Sequence, residues 1–187
     1  MLDSIYRFDF SILDALQSIH SPVLNVIMMV ITYFAEVGWG WIALTVIMLR
    51  FPKHRKMGLA SGVSLAIMLL INDVTIKSIV GRPRPYTLRE DIDTIIPYPM
   101  GTSFPSGHTC ASFSAATAIF LYDKKLGAFA YLLAALIGFS RNYFYVHYPT
   151  DVICGALLGI ILGIIGTAIV RKLIVPRFGE KLKLPKE

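Results

Sequence analysis

The stretch SFPSGHT, positions 103–109, places a histidine at the beginning of an apolar segment. Pro105 and Ser106 are typical of a helix start, and Gly107 lets a ligand approach the backbone closely. The first N–H groups of a helix are unpaired, and the helix dipole favours negative charge there. An anion at this point would lie beside the Ser106 hydroxyl and His108. A helix cap followed by an interfacial histidine would give the same pattern.

A second histidine, His147, lies in SRNYFYVHYPTD, positions 140–151, four residues before Asp151. A carboxylate at this spacing can accept the Nδ1–H of the ring and leave Nε2 available as a nucleophile. Arg141 adds a cation at the end of the preceding apolar segment. The surrounding aromatic residues are more typical of a membrane-interface belt than of a stacking site. Taken alone, Asp151 is also a common helix cap.

Two further cations lie in KSIVGRPRP, positions 77–85. The prolines on both sides of Arg84 end a helix and favour an extended chain, which lets Arg84 turn back towards Lys77. A pair of cations favours an anion, although both could instead extend to lipid head groups. Asp73 lies four residues before Lys77 on the same helix face. We expect it either to hold the Lys77 ammonium or to face a wet cavity with Asn72.

The remainder of the chain has the composition of a membrane protein. Of its 187 residues 55% are hydrophobic and 16% are charged, whereas a soluble domain carries about 25% charged residues. Residues 152–170 contain no charge, and this run approaches the ~20 residues that cross a hydrocarbon core. The net charge of +6 does not indicate nucleic acid, because the basic residues cluster in short loops and at the C-terminus. Cys110 and Cys154 lie in apolar segments and are interpreted as packing residues.

We expect an all-α fold, a bundle of six transmembrane helices that forms one domain over 1–187. The spans are predicted at 21–35, 37–49, 57–80, 105–122, 126–143 and 150–172. Gly38 and Gly40 favour a tight turn between the first two spans, although one long helix is also possible. In the last span, glycines at four-residue spacing predict a close-packed helix face: Gly155, Gly159 and Gly163.

Residues 1–20 are predicted to form an amphipathic helix in the membrane interface, or a helix packed on the rest of the protein. Their apolar residues recur at steps of three and four and share one face: Ile5, Phe8, Ile12, Leu16 and Ile19. The six-helix bundle then covers 21–172, and 173–187 forms a basic cytoplasmic tail.

The distribution of Lys and Arg predicts the orientation. With six spans, the N-terminus, the loops 50–56 and 123–125 and the region from Arg171 onward share one side, which holds 13 of the 18 basic residues. An excess of basic residues marks the cytoplasmic side. Both histidine stretches are therefore expected on the extracytoplasmic face of a cell membrane, where the proline-rich loop 81–104 would cover a site.

Together these stretches resemble the motifs of the type-2 phosphatidate phosphatase superfamily, which also includes vanadium haloperoxidases and glucose-6-phosphatase. The family pattern is K-x6-R-P, P-S-G-H and S-R-x5-H-x3-D, and every position is matched between 77 and 151. The resemblance implies that His147 attacks phosphorus, that Asp151 orients its ring, and that His108 protonates the leaving oxygen and then activates water. It implies a set of phosphate-binding residues: Lys77, Arg84, Ser106, Gly107 and Arg141. It implies no metal and no other cofactor.

The resemblance makes hydrolysis of a lipid phosphate or diphosphate the expected function, with a phosphohistidine as the intermediate. Phosphatidylglycerophosphate, phosphatidate and undecaprenyl diphosphate are the candidate substrates. The lipid bilayer is the expected partner, and the oligomeric state is left open. Three alternatives stay open: a non-catalytic lipid-phosphate binder or carrier, a phosphatase of a soluble ester, and a haloperoxidase, although haloperoxidase relatives are soluble.

Overall fold

The computed structural model describes residues 2–89 and 91–184, and their regular structure is entirely helical. The α-helices are α1 (Leu2–Gln17), α2 (Pro22–Phe34), α3 (Trp39–Arg50), α4 (Arg55–Met68), α5 (Lys77–Val80), α6 (Gly107–Phe120), α7 (Lys124–Tyr143), α8 (Pro149–Ile169) and α9 (Val175–Phe178). Two π-helical segments, Leu69–Ile76 and Val170–Ile174, join α4 to α5 and α8 to α9. Short 3-10 helices cover Glu36–Gly38, Pro52–His54 and Pro85–Leu88. The predicted all-α class is confirmed for the described part of the chain.

Two helical stretches, Pro52–Leu88 and Pro149–Phe178, are long and apolar enough to cross a membrane on their own. A third, Pro22–Phe34 with Glu36–Arg50, qualifies when it is taken as one bent unit. α6 is shorter and is enclosed by α4, α7 and α8. Because its neighbours shield it, α6 can carry small and hydroxylated residues that a lipid-facing helix would lack.

α2 and α3 meet at a bend of 44°. Val37 and Gly38 have left-handed backbone angles there, with φ of 51° and 76°, and this interrupts the helix. α2 packs along α7, and α3 continues along α4. The helix is interrupted at Gly38 as predicted, but by a bend, and Gly40, also expected in the turn, lies inside α3. Two separate spans are not confirmed at this segment, since the two helices meet at this bend and together qualify as one span, which was the alternative left open.

Glycines bring α8 into backbone contact with α6. A Cβ atom at Gly155 would lie 2.8 Å from the carbonyl oxygen of Ser106. A Cβ atom at Gly159 would lie 2.5 Å from the carbonyl oxygen of Cys110, and Gly163 approaches α6 equally closely. Larger residues would push the two helices apart. The predicted packing face is therefore confirmed, and it holds the starts of α6 and α8 side by side.

One end of the helix bundle carries all three motif stretches, and α1 packs at the same end. Asp9 of α1 accepts a hydrogen bond from the N–H of Thr150 at 3.0 Å. Asp14 accepts one from the Tyr145 hydroxyl at 2.6 Å. The N-terminal helix therefore lies on the motif side. This corrects the prediction that the N-terminus shares a side with the basic loops, which followed from counting six crossings.

The apolar stripe predicted for the N-terminal helix faces outward. Ile5, Phe8 and Ile19 are exposed, whereas Leu13 is buried against Tyr145 on another face of α1. The stripe is thus not the surface by which this helix packs on the protein. Its position in a membrane interface stays a prediction, and residue 1 of the predicted segment lies outside the described residues.

Candidate active site

The three motif stretches meet around a cavity of about 690 Å³. Six of the eight residues predicted for the site line it: Lys77, Arg84, Gly107, His108, Arg141 and His147. The other two, Ser106 and Asp151, are fully buried. They lie next to each other, because the N–H of Ser106 donates to the carbonyl oxygen of Asp151 at 3.1 Å. The structure therefore brings all eight predicted residues together.

Two helix starts position the polar groups of the site. α8 begins with Pro149, and Asp151 caps it by accepting the N–H of Tyr148 at 2.9 Å. α6 begins after Ser106, whose extended backbone makes it the cap residue. Gly107, the first residue of α6, lines the cavity. The unpaired N–H groups and the positive dipole end of α6 are thus at the cavity wall.

His147 lies in the turn between α7 and α8 and is buried. Its Nε2 is 3.2 Å from Nη1 of Arg84. Because an arginine only donates, Nε2 must be the acceptor, and the ring proton resides on Nδ1. Burial lowers the pKa of His147 to about 3, and the charges of Arg84 and Arg141 add to this effect although Asp151 opposes it. The ring is therefore neutral at physiological pH.

A hydroxyl group lies between His147 and Asp151. Nδ1 of His147 is 3.5 Å from Oδ2 of Asp151. Ser103 Oγ donates to the same Oδ2 at 2.5 Å and lies 3.4 Å from Nδ1. The predicted proximity of the histidine and the carboxylate is confirmed, and Ser103 is a third member that the sequence reasoning missed. Its only signal was its place in the SFPSGHT stretch.

Backbone carbonyl groups hold Arg84 in place. Its Nε donates to Gly101 at 3.0 Å and its Nη2 to Met100 at 3.1 Å. Its Nη1 donates to the carbonyl oxygen of Val146 at 2.9 Å. Pro99 and Met100 also line the cavity. The 81–104 loop therefore covers the site, as predicted, and fixes one of its cations.

The predicted pair of Asp73 and Lys77 is present, with Nζ 2.7 Å from Oδ1. Asp73 also lines the cavity, whereas Asn72 does not, so the expected position at a cavity holds for Asp73 alone. Asn72 is buried and donates to Oδ1 of Asp73 at 2.8 Å. The pair lies against Gly107, where a Cβ atom would be 3.0 Å from Lys77 Nζ and 3.0 Å from Asp73 Oδ1. A side chain at position 107 would therefore disturb the cation.

Two residues of the bent α2–α3 segment contact the remaining site residues, and the sequence reasoning missed both. Thr32 accepts a hydrogen bond from Nη1 of Arg141 at 2.5 Å. Arg141 is buried, and its Nε has no hydrogen-bond partner among the described residues. Oε2 of Glu36 lies 3.2 Å from Nε2 of His108. The signal for Glu36 was an acidic residue in the apolar stretch YFAEVGWG.

The cavity suits an anionic group that reacts with a nucleophile. Lys77, Arg84 and Arg141 supply fixed positive charge, and a neutral histidine presents an unprotonated nitrogen beside them. A second histidine lines the same wall. Across 2–89 and 91–184, no group of three or more His, Cys, Asp or Glu residues is arranged to hold a metal ion. Fold and site together are those of a helical membrane phosphatase.

The chain belongs to the PAP2 superfamily, which matches residues 57–174. It is 33% identical over 144 residues to the undecaprenyl-diphosphatase BcrC of Bacillus subtilis, which covers 77% of this chain and 74% of the relative. Among solved structures, it resembles Aquifex aeolicus LpxE with a TM-score of 0.71 and 31% identity, over 85% of this chain and 94% of that one. A PAP2-type phosphatidylglycerolphosphate phosphatase of Bacillus subtilis gives a TM-score of 0.73 at 27% identity, over 91% and 88%. The chain is a membrane lipid phosphatase.

Proposed function

We propose that this phosphatase hydrolyses its lipid substrate through a phosphohistidine formed on His147. The observation that carries the proposal is the unprotonated Nε2 of buried His147, 3.2 Å from Arg84 at the cavity. A nucleophile needs a free lone pair in its working protonation state. Burial keeps the ring neutral, so that no proton has to be removed before attack.

In the first step, four donors at the cavity wall bind the phosphoryl oxygens: Lys77, Arg84, Gly107 and Arg141. Ser106, the fifth residue predicted for this role, is fully buried and acts as the cap of α6. Nε2 of His147 bonds to phosphorus while the bond from phosphorus to the leaving oxygen breaks. His108 transfers a proton to that oxygen. The Nδ1 proton stays on the ring, and the carboxylate of Asp151 balances the positive charge of the phosphorylated imidazole.

In the second step, water attacks phosphorus and the bond to Nε2 breaks. His108, which lost its proton in the first step, accepts one from the attacking water. The products are inorganic phosphate, a neutral His147 and a protonated His108. The three cations act in both steps, because the charge on the equatorial oxygens persists through both transfers.

The proposed substrate class is a polyprenyl diphosphate. Two observations support it. The chain is 33% identical to a protein named undecaprenyl-diphosphatase. The cavity also continues from the charged site into an apolar cleft between α3 and α4, lined by Ile42, Val46, Gly62, Leu65 and Ala66. A head group in the charged part would leave its hydrocarbon chain in this cleft.

The topology that we propose has five crossings: the bent α2–α3 unit, α4 with its extension through α5, α6, α7 and α8. α1 then lies in the outer interface, with its exposed apolar stripe towards the lipid. The loops 50–56 and 123–125 and the tail from Arg171 still carry twelve of the 18 basic residues, which makes that side cytoplasmic. Residues 1–187 form one domain. The last three residues of its tail, 173–187, lie outside the described residues. Protease-accessible tags at the two termini should report opposite sides.

The test is phosphate release by purified protein in detergent with EDTA present. The substrates are undecaprenyl diphosphate, phosphatidylglycerophosphate, phosphatidate and glucose 6-phosphate. The variant His147→Ala is expected to lose activity, because it removes the nucleophile. His54→Ala is the matched control, because His54 lies at the opposite end of the molecule in the loop after α3.

Each alternative gives a different result in this assay. Release by the wild type but not by His147→Ala, with a preference for undecaprenyl diphosphate, supports the proposal. A preference for glucose 6-phosphate would reject the lipid substrate. Binding of the lipids without any release would indicate a carrier. Activity retained by His147→Ala would reject the phosphohistidine.

A further inference from the structure

Arg82 lies between two buried carboxylates. Its Nη2 is 2.7 Å from Oδ2 of Asp9, and its Nη1 is 2.6 Å from Oδ1 of Asp151. Both carboxylates are fully buried, and the Arg82 side chain is 12% exposed. None of the motif roles described above uses Asp9 or Arg82, although their contacts end on a residue of the site.

We propose that Asp9 and Arg82 are positioning residues for the Asp151–His147 pair, so that the N-terminal helix is part of the catalytic machinery. This inference rests on the proposed role of His147 as the nucleophile. Asp9 and Arg82 would act through Asp151 and would not contact the substrate.

The two carboxylate oxygens of Asp151 have different partners. Among the residues that the structure describes, Oδ1 accepts a hydrogen bond only from Arg82. Oδ2 accepts from Ser103 and from the N–H of Tyr148, and it is the oxygen nearest Nδ1 of His147. The contact to Oδ1 therefore fixes the rotation of the carboxylate. Without Arg82, the carboxylate can turn away, and the Nδ1 proton loses the partner that keeps Nε2 unprotonated.

The geometry around Arg82 requires an arginine. Two different nitrogens reach two carboxylates, and the guanidinium plane lies over the Tyr148 ring at 3.8 Å and the Tyr6 ring at 4.9 Å. A lysine offers one nitrogen and no plane, so it can keep the charge but not both contacts and the stacking together. The two aromatic rings also keep water away from the ion pairs and thereby strengthen them.

Asp9 holds Arg82 in this place and also fixes the helix that carries Asp151. Its Oδ1 accepts the N–H of Thr150, and its Oδ2 accepts the Thr150 hydroxyl at 2.7 Å as well as Arg82. The Thr150 N–H belongs to the first turn of α8 and has no partner within that helix. One carboxylate of α1 thus positions both the guanidinium and the start of α8.

A second ion pair between α1 and the loop provides a matched control. Arg89 contacts Asp14 at 3.0 Å and Asp91 at 2.9 Å, and its side chain is 33% exposed. It connects the same helix to the same loop, but it has no contact with Asp151. Loss of Arg89 therefore reports the effect of loosening α1 alone.

The experiment compares five variants with the wild type: Asp9→Asn, Arg82→Lys, Arg82→Gln, Arg89→Gln and the double variant Asp9→Asn/Arg82→Gln. Steady-state kinetics on the best substrate give kcat and KM. Rapid quenching with substrate labelled at the transferred phosphorus gives the rate of phosphoenzyme formation. The melting temperature in detergent shows whether each variant folds.

Loss of a residue that orients a reacting group typically costs about 10- to 100-fold in activity. We expect Arg82→Gln to lower kcat by about this factor with KM nearly unchanged, because the substrate contacts remain. Phosphoenzyme formation should slow by the same factor. Asp9→Asn should give a smaller loss, and Arg82→Lys should recover part of the activity. The double variant should be no slower than Arg82→Gln, because the two residues act as one unit.

Several outcomes would overturn the inference. One is a kcat within about twofold of the wild type for folded Arg82→Gln or Asp9→Asn. Another is an equal loss in Arg89→Gln, which would assign the effect to a loosened α1. If Arg82→Gln does not fold, the same criterion applies to Asp9→Asn and Arg82→Lys: a kcat within about twofold of the wild type in both would overturn the inference. An inactive wild type would reject the proposed function itself, whereas an active wild type with active variants rejects only this inference.

Discussion

Replacing Gly107 by alanine should damage the site without unfolding the protein. The added Cβ atom would lie 3.0 Å from Lys77 Nζ and 3.0 Å from Asp73 Oδ1, whereas ordinary contacts are 3.4–4 Å. α6 cannot withdraw to make room, because Gly155 of α8 already touches the backbone of Ser106. The ammonium group must therefore move by about 0.4 Å to reach an ordinary contact distance.

A displacement of about 1 Å at a reacting centre costs about 100-fold in rate, so this smaller shift should cost less. We expect kcat/KM of Gly107→Ala to fall by about 5- to 10-fold, or about 1–1.4 kcal/mol of transition-state stabilisation at about 1.4 kcal/mol per tenfold. The fold should persist, because Gly107 is helical and alanine favours a helix by about 0.5–1 kcal/mol over glycine.

The assay is phosphate release together with the melting temperature of each variant. Gly138→Ala is the control, since its Cβ atom would meet a methyl group of Val152 at 3.1 Å, a similarly close contact that involves no cation and lies outside the cavity lining. It should stay within about threefold of the wild type. Full activity in Gly107→Ala, or a loss that only follows the melting temperature, would refute the argument that this glycine makes room for the cation.

Three further changes test other contacts. Asp73→Asn removes the charge 2.7 Å from Lys77, so phosphate affinity and kcat should both fall, and unchanged values for both would reject the pairing role. Glu36→Gln weakens the contact to His108, the proposed proton donor to the leaving oxygen. Hydrolysis of a substrate with a poor leaving group should therefore slow more than hydrolysis of p-nitrophenyl phosphate, and equal slowing of both would argue against a role of Glu36 in proton transfer. The pKa of His147 is about 3 in the folded protein, against an ordinary value of 6.5. Below pH 6.5 the unfolded chain therefore binds more protons than the folded protein. The free energy of unfolding should fall on acidification, by about 2 kcal/mol at pH 5. The melting temperature should show this fall in the wild type, and a fall just as steep in His147→Gln would disprove the assignment.

The composition of the site could be predicted because its residues fall in three short stretches with fixed spacing. Their meeting point followed from membrane topology, since segments at the same end of neighbouring helices lie close together. Ser103 and Glu36 escaped prediction for a different reason. Each contacts a residue distant in sequence, Ser103 with His147 and Glu36 with His108, and no local pattern reports such pairs.

The number of crossings could not be read from hydropathy at 21–49. Two short apolar runs separated by glycines are compatible with a hairpin, a straight helix and a bent helix. Which of the three forms depends on tertiary packing, because α2 packs against α7 and α3 packs against α4. In the proposed topology, one crossing fewer also places α1 on the side that carries the motifs.

Moving the N-terminus does not weaken the orientation argument, because the basic residues of the two faces have different environments. Of the six on the motif side, Arg7 is exposed on α1, and the other five each have a specific partner in the fold. Those partners are Asp73 for Lys77, Asp9 and Asp151 for Arg82, backbone carbonyls and His147 for Arg84, Asp14 and Asp91 for Arg89, and Thr32 for Arg141. The positive-inside rule concerns basic residues of short loops that remain at the membrane surface. Cations held by the site or paired with carboxylates of the fold have a separate physical reason for their location. The cytoplasmic assignment therefore depends on the loop and tail residues alone, and it is the same for five crossings as for six.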